Sequence, residues 1–277
     1  MIGKLSVSNL PAIKFDGVYR VLGWIPETTE SKARFLNFGA FNAAPIDPST
    51  WKEIDLQWLN PPVLDQGMTS SCVGHCSADG MHMCYLQSGR KLVQFNPYFT
   101  YGLINGGRDA GAMISDALTA LQQKGICPKE DLPAGVMFEN QFPQKAFENA
   151  LRFKLIQAYH CPTFETICAA ISVGFVCPLG IFVGNNFSQV DSNGICPLPS
   201  GQGGGGHCIL GCGLKKSAQH GWLIKIMNSW GTKFGNKGYA YIHKGHFQRM
   251  QPDAFAMQSV MDDPQATGDD QVPAVTN

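Results

Sequence analysis

Helical and strand-like patterns occur in two successive blocks along this chain. The first helical pattern begins at Ser70 or Ser71, either of which is a suitable cap, and ends near Gly89. A second amphipathic pattern covers about residues 112–124 and is followed by Gly125, a typical residue just beyond a helix end. Strand-like segments dominate only after these helices. This order predicts an α+β fold rather than alternating βαβ units with a parallel sheet.

The strand-like segments are short apolar runs separated by turns. A third helix near residues 164–173 precedes the first of them, and a glycine-rich loop at 201–206 precedes the second. The expected strands are residues 178–183, 207–213, 222–227 and 239–243. The most apolar stretch, Ile167 to Val183, is marginal in length for a bilayer and contains a proline and two glycines. We therefore interpret it as helix, turn and strand, and expect no membrane span.

Charge and composition narrow the class of partner. The 277 residues contain 21 basic and 21 acidic side chains, so no net charge attracts nucleic acid or an anionic membrane. A polypeptide or a neutral ligand suits this balance better. The first residues lack the apolar core of a secretory signal, so export by that route is not expected. We expect most of the ten cysteines to be reduced core residues, with disulfide pairing left open.

Cys72 is the candidate nucleophile because it stands at the start of the first helix. A thiol attacks an acyl carbon well only as a thiolate, and a neighbouring imidazolium or a helix N-terminus lowers its pKa. Gln66 lies six residues earlier, across a turn that contains Gly67. Its side-chain amide and the Cys72 amide are placed to stabilise an oxyanion. A cysteine without this context is more often a small buried hydrophobe.

Two segments resemble known active-site motifs. The run Asp65–Val73 resembles the signature around the nucleophile of papain-like cysteine peptidases, with the same spacing from glutamine to cysteine. The run Lys225–Tyr239 is similar to the Asn-Ser-Trp-Gly block of that family, continued to its Gly-Tyr. The resemblance implies that Asn228 accepts a hydrogen bond from the catalytic imidazole. It also implies that Trp230 covers that bond from solvent.

The resemblance supplies the remaining site residues. Of the seven histidines, His207 alone lies between the two motifs at the start of a strand of apolar residues and glycines, where the family has its catalytic histidine. Residues 109–118 resemble the family's glycine-containing turn and following helix. By resemblance, the backbone of Gly111, or of Ala112 if the match shifts by one residue, pairs with an extended substrate. The alternative for Gly111 is a simple turn before a helix.

The resemblance covers about residues 55–248 and is closest in character to short bacterial and phage members. It implies a two-lobe fold with a helical N-terminal lobe, an antiparallel β-barrel-like C-terminal lobe and the active site in the cleft between them. The expected parts of the chain are an extension at 1–50, a helical lobe at 51–150, a β-rich lobe at 151–262 and a polar tail at 263–277. Residues 1–50 are short for the family's inhibitory prosegment. They could pack on the core, block the cleft or bind an assembly partner.

The implied activity is hydrolysis of polypeptides through a thioester, with no cofactor. Two alternatives remain open, namely a transpeptidase or isopeptidase using the same cysteine and histidine, and a binding or assembly module of a phage or secretion machine with little turnover. A metal site is a third reading, suggested by Cys72, His75, Cys76, His82 and Cys84. These residues lack paired Cys-x-x-Cys knuckles, and both histidines fall on a different helix face from Cys76. No metal site is predicted.

Overall fold

A computed structural model of the chain describes residues 10–40, 46–200, 202–247 and 253–260. The predicted tail at 263–277 lies outside these ranges. The described chain begins with a hairpin of strands β1 (Ala12–Phe15) and β2 (Val18–Val21), which turns at Asp16 and Gly17, both with positive φ. A one-turn helix, α1 (Thr29–Ala33), and a short strand, β3 (Ile54–Asp55), follow.

Four helices form the next part of the chain. They are α2 (Cys72–Gln87), α3 (Pro97–Ile104), α4 (Ile114–Gln123) and α5 (Gln144–Ala150). The structure confirms the first two predicted helices, and both are followed by a glycine with positive φ, Gly89 and Gly125. Helix α2 is buried on every side along most of its length, including His75 and His82, because it lies between the other helices and a large sheet.

The second half of the chain contains one helix and six strands. They are β4 (Leu155–His160), α6 (Phe164–Ser172), β5 (Cys177–Val183), β6 (Gly205–Ser217), β7 (Gly221–Met227), β8 (Tyr239–His243) and β9 (Asp253–Val260). The strand order is β4-β9-β5-β6-β7-β8, all antiparallel, and β3 pairs with β6. The α+β class and the antiparallel lobe are confirmed. The sheet does not close, because β4 and β8 are its two free ends among the described strands.

Two apolar cores flank the sheet. One lies between α6 and the sheet, and the other lies between α2 and the sheet. The second core brings the start of α2 against β6, so the cysteine at the helix end meets the strand that contains His207. The stretch from Ile167 to Val183 is helix, turn and strand, as expected. Within the parts of the chain that the structure describes, no helix is both long and apolar enough to cross a lipid bilayer.

Candidate active site

Cys72 is the first residue of α2, and its side chain is fully buried. Amides in the first turn of a helix lack partners within the helix and have partial positive charge, which favours a thiolate. Ser71, one of the two predicted cap residues, is the N-cap of α2, but its side chain does not make the expected cap hydrogen bond. Its hydroxyl instead shares hydrogen bonds with Thr69 and with Nδ1 of His75.

The turn before Cys72 is held by a buried polar network centred on Ser70. The Ser70 hydroxyl shares a hydrogen bond of 2.8 Å with the Tyr101 hydroxyl and donates to the Asp109 carboxylate. The amide of Gly111 donates to Ser70 Oγ at 3.0 Å. This network ties the turn before Cys72 to the segment expected to pair with substrate, so the two parts of the cleft wall have a fixed separation.

His207 and Asn228 meet because adjacent strands present them at the same end of the sheet. His207 lies in β6, Asn228 directly follows β7, and these strands pair antiparallel. His207 Nε2 donates to Asn228 Oδ1 at 2.8 Å. The Trp230 ring lies 5.0 Å from the imidazole, centroid to centroid, and all three side chains are buried. This geometry holds one imidazole orientation and excludes water from the hydrogen bond.

The Cys72 thiol lies beside the His207–Cys208 peptide, since the Cys208 amide hydrogen-bonds the Cys72 sulfur. Burial raises the pKa of the Cys72 thiol to about 11, although amide hydrogen bonds from Cys208, Gly23 and Val73 oppose this shift. Burial also lowers the pKa of His207 to about 4, against the hydrogen bond with Asn228. The expected thiolate and imidazolium are therefore both neutral in this state. His207 Nδ1 is buried without a hydrogen-bond partner among the described residues.

Gln66 is buried next to this pair, but its amide group is already bonded. Its Nε2 donates to the backbone carbonyl of Val21 at 2.9 Å and to that of Thr69 at 2.8 Å. Its Oε1 accepts a hydrogen bond of 2.8 Å from the Ser229 hydroxyl, which fixes the orientation of the amide. The Val21 carbonyl thus accepts a hydrogen bond from the Gln66 amide, one of the two groups predicted to donate to an oxyanion.

Residues 20–25, which we call the strap, lie in the cleft between the two lobes. The Ala112 amide donates to the Gly23 carbonyl at 2.9 Å, and the Ile25 amide donates to the Ala112 carbonyl at 2.9 Å. The Trp24 amide donates to the carbonyl of Gly206 at 3.2 Å. The strap therefore pairs with both walls of the cleft, and it runs parallel to the chain at Ala112. Of the three possibilities for residues 1–50, the described part of this segment packs on the core and occupies the cleft.

Gly111 and Ala112 have different functions in this arrangement. The backbone of Ala112 makes both hydrogen bonds to the strap, whereas the Gly111 amide donates to Ser70 and Tyr101. Gly111 has φ of +84°, and a Cβ there would overlap the Gly23 carbonyl oxygen. Gly111 is therefore required for close approach of an extended chain, and Ala112 is the residue that pairs with it.

Contacts outside the cleft hold the strap and its neighbours. Arg20, which is almost fully buried, forms a two-contact ion pair with the half-exposed Asp65. The Phe15 ring packs 5.8 Å from that of Trp230, so the β1–β2 hairpin covers the tryptophan. Further anchors are Glu27 with Ser115, Lys32 with Asp253, and Asp16 with Lys233. The segment is thus bound by charge, ring packing and backbone pairing together.

The other chemistry suggested by the sequence is not assembled here. Within the described ranges, no group of three or more histidine, cysteine or acidic side chains is placed to hold a metal ion. All ten cysteines are buried as free thiols. Sequence reasoning assigned no role in orienting the site to Ser70 or Ser229, and it did not find Val21, whose carbonyl accepts a hydrogen bond from Gln66. Both serines lie inside the two motifs, but residue type does not show their partners, and Val21 lies outside both motifs.

Comparison with known proteins identifies the class. The model of the papain family of cysteine proteases matches residues 51–258, so the chain belongs to that family, whose members are hydrolases. Among curated proteins, none matches the chain significantly.

Solved structures support the same fold. Xylellain, a cysteine protease from Xylella fastidiosa, is similar with a TM-score of 0.72 and 21% identity, over 87% of this chain and 96% of that one. The Amb a 11 cysteine protease of ragweed pollen, in its proform, has a TM-score of 0.61 and 20% identity, over 80% of this chain and 67% of that one. Procathepsin B S9 from Trypanosoma congolense has a TM-score of 0.59 and 14% identity, over 87% of this chain and 82% of that one.

Proposed function

We propose that this chain is a cysteine peptidase that cleaves polypeptides through a thioester on Cys72, and that the structure is its latent form. One observation supports this most strongly: the groups suited to binding an extended peptide already bind the strap. The Gln66 amide, the Ala112 backbone and the Gly206 carbonyl each hold a backbone group of residues 21–25. A cleft that binds one peptide segment by its backbone is suited to bind another.

The catalytic cycle starts once the strap has left the cleft. His207 Nδ1 takes the proton of the Cys72 thiol, and the sulfur attacks the substrate carbonyl carbon. The carbon–nitrogen bond breaks, and His207 returns the proton to the departing amine. Water then attacks the thioester while His207 accepts a proton from it, which releases the acid and restores the thiol. The amides of Gln66 and Cys72 bind the oxyanion in both halves of the cycle.

Asn228 and Trp230 position the imidazole in this mechanism. The hydrogen bond from Nε2 to Asn228 leaves Nδ1, which has no hydrogen-bond partner among the described residues, as the nitrogen that takes the thiol proton. Release of the strap admits water to the cleft and weakens the burial that shifts both pKa values. The Cys72 pKa then falls and the His207 pKa rises, which favours the charged pair.

Two alternatives share the same groups. An amine in place of water as acceptor would make the site a transpeptidase or isopeptidase, and product analysis with and without added amine separates these outcomes. A binding module with little turnover is supported by one observation, the neutral and fully buried Cys72–His207 pair.

The deciding experiment is intact-mass analysis after treatment with an epoxide peptidyl inhibitor of cysteine peptidases. We expect slow modification of the wild-type chain and rapid addition of one inhibitor to the Arg20→Ala variant, in which the strap has lost its ion pair. The Cys72→Ala change in the Arg20→Ala background is the control and should abolish the adduct. Absence of any adduct on Cys72 in either protein would contradict an assembled peptidase site.

A further inference from the structure

The partly exposed carboxylate of Asp109 connects two segments of the cleft wall. Its Oδ1 accepts hydrogen bonds from the Ser70 amide at 3.0 Å, from the Ser70 hydroxyl, and from the Tyr101 hydroxyl at 2.6 Å. Ser70 lies two residues before Cys72, and Asp109 lies two residues before Gly111. Hydrogen bonds to an ionised acceptor are roughly twice as strong as those between neutral groups. One side chain thus joins the turn of the nucleophile to the segment that pairs with an extended chain.

The carboxylate also determines the direction of the surrounding hydrogen bonds, because it accepts and has no proton to donate. The hydroxyls of Ser70 and Tyr101 both donate to it, which leaves their oxygens as acceptors. The Gly111 amide donates to both oxygens, at 3.0 Å and 3.2 Å respectively. Burial and the hydrogen bond to Asp109 raise the pKa of Tyr101, so its phenol keeps the proton that it donates. The Gly111 amide is therefore held by two acceptors that Asp109 orients.

The strap passes through a narrow gap between the two connected segments. A Cβ on Gly23 would lie 1.8 Å from the Ser70 carbonyl oxygen, and a Cβ on Gly111 would lie 2.3 Å from the Gly23 carbonyl oxygen. Both distances are far below van der Waals contact, so neither side of the gap has room for a methyl group. Ser70 and Gly111 are also the residues that the network joins. The position of one relative to the other thus determines whether an extended chain fits.

We infer that Asp109 is a positioning residue that sets the width of this gap, through Ser70 on the side of the nucleophile and through Gly111 on the side of the substrate. This inference rests on the proposed function, because it concerns how the same cleft holds a peptide beside Cys72. Asp109 acts through its neighbours. The Ser70 turn presents the Cys72 amide, a proposed oxyanion donor, and Gly111 precedes Ala112, whose backbone pairs with the strap.

Tyr101 and Asp109 should differ in what they control. The Tyr101 hydroxyl accepts from the Gly111 amide but makes no hydrogen bond to the Ser70 amide, whereas Asp109 accepts from that amide directly. Loss of the hydroxyl should therefore weaken peptide binding alone. Loss of the carboxylate should weaken peptide binding and also slow the chemical step, because it frees the turn before the nucleophile.

The first test follows the strap, so it does not require turnover. In the full chain, Asp109→Asn keeps the size of the side chain and removes its charge. Amide hydrogen exchange at Ala112 and Ile25, the two donors that pair strap and wall, should become roughly 10-fold faster by NMR. Tyr101→Phe should give a smaller change in the same direction. Asp191→Asn is the matched control, because Asp191 accepts two backbone amides of its own loop, and both rates should stay within about twofold.

The second test separates positioning from a merely structural role. In the Arg20→Ala background, where the strap has lost its ion pair, steady-state hydrolysis of a peptide gives kcat and KM separately. Tyr101→Phe should raise KM by roughly 5-fold with little change in kcat, whereas Asp109→Asn should raise KM and also lower kcat by roughly 10-fold. Asp191→Asn should change neither constant. A purely structural role for Asp109 would lower Tm without this division between the two constants.

Unchanged exchange at Ala112 and Ile25 in folded Asp109→Asn would overturn the inference. So would the same pattern of kcat and KM in Asp109→Asn as in Tyr101→Phe. Faster exchange in a chain that cleaves no peptide would support the positioning role and contradict the proposed peptidase. Cleavage with kcat and KM unaffected by Asp109→Asn would do the reverse.

Discussion

The side-chain amide of Gln66 donates a hydrogen bond to the backbone carbonyl of Val21. This contact places a carbonyl of the protein's own chain on the group proposed to bind the substrate oxyanion. The Val21 carbonyl and a substrate oxyanion therefore compete for the same hydrogen-bond donor, the side-chain amide of Gln66. Activity should depend on how often the strap leaves.

The first prediction concerns the ion pair that holds the strap. Arg20→Ala removes a charge-assisted double hydrogen bond from a nearly buried guanidinium, a type of contact that contributes about 1.5–3 kcal/mol. Amide hydrogen exchange in residues 18–25 should become roughly 10-fold faster or more, with little change in β5–β8. Lys124→Ala is the control, since it breaks an ion pair with Glu139 whose partners are both about half exposed. Unchanged exchange at residues 18–25 would show that the ion pair does not hold the strap.

The second prediction concerns the pH dependence of Cys72 alkylation. Because burial raises the pKa of the thiol to about 11, Cys72 of the wild-type chain should react slowly with iodoacetamide near neutral pH. The alkylation rate should rise as the pH approaches 9. Arg20→Ala should react faster near pH 6, and adding His207→Ala should slow it again by removing the imidazolium. Peptide mass spectrometry gives the rate for Cys72 separately from the other nine cysteines. A wild-type rate at pH 6 equal to that of the Arg20→Ala variant would refute the closed state.

The third prediction gives one substitution two opposite effects. Gln66→Ala removes the bond to Val21, so Cys72 should become more accessible to alkylation. The same change removes an oxyanion donor, so the rate of peptide hydrolysis should fall by roughly 10²-fold in an opened variant such as Arg20→Ala. Asn228→Ala should lower hydrolysis but retain some activity, because it only orients the imidazole. Gln66→Ala with an undiminished hydrolytic rate would mean that another group binds the oxyanion.

The fourth prediction concerns stability and Asp79, a buried residue of α2 whose carboxylate oxygens have no hydrogen-bond partner among the described residues. Burial raises its pKa well above 3.8. The folded state therefore favours the protonated form, and this contribution to stability is lost as pH rises above about 4 toward the folded pKa. Asp79→Asn removes the titration, so its Tm relative to wild type should increase from pH 5 to pH 8.

The matched control for this titration is Glu148→Gln, which neutralises an exposed acid. Its Tm difference from wild type should stay nearly constant over the same range. A constant difference for Asp79→Asn as well would show that the Asp79 carboxyl does not titrate with a raised pKa. Other buried groups, such as His207, contribute equally to both proteins and cancel in the difference.

Much of the α+β fold could be predicted because its signals are local. Helix α4 has a clear apolar face, and the strands β5 to β8 are apolar runs bounded by glycines and turns. Of the motif residues, His207 and Asn228 hydrogen-bond each other because antiparallel pairing of β6 and β7 places them side by side, and Cys72 lies in the apolar core between α2 and the sheet.

The occupied cleft could not be predicted because its causes are not local. No hydrogen bond within the strap marks it as a unit. Its partners are Gln66, Ala112 and Gly206, each separated in sequence from the strap residue that it contacts by 45 to 182 residues. Burial also shifts the pKa values of Cys72 and His207 toward their neutral forms. Likewise, no local signal in the sequence of α2 indicates that Asp79 is buried, which it is because sheet and helices surround α2.

The strap and Cys72 belong to one polypeptide chain, and this connection affects how a substrate competes with the strap. A segment joined to its own binding site behaves as a ligand at an effective concentration on the order of millimolar. A free peptide at micromolar concentration competes at a large disadvantage, and dilution of the protein does not open the cleft. The closed fraction is therefore independent of the concentration of the protein itself. A change in chain connectivity or in docking contacts, such as a cut beyond Ile25, shifts that fraction far more effectively than a rise in substrate level.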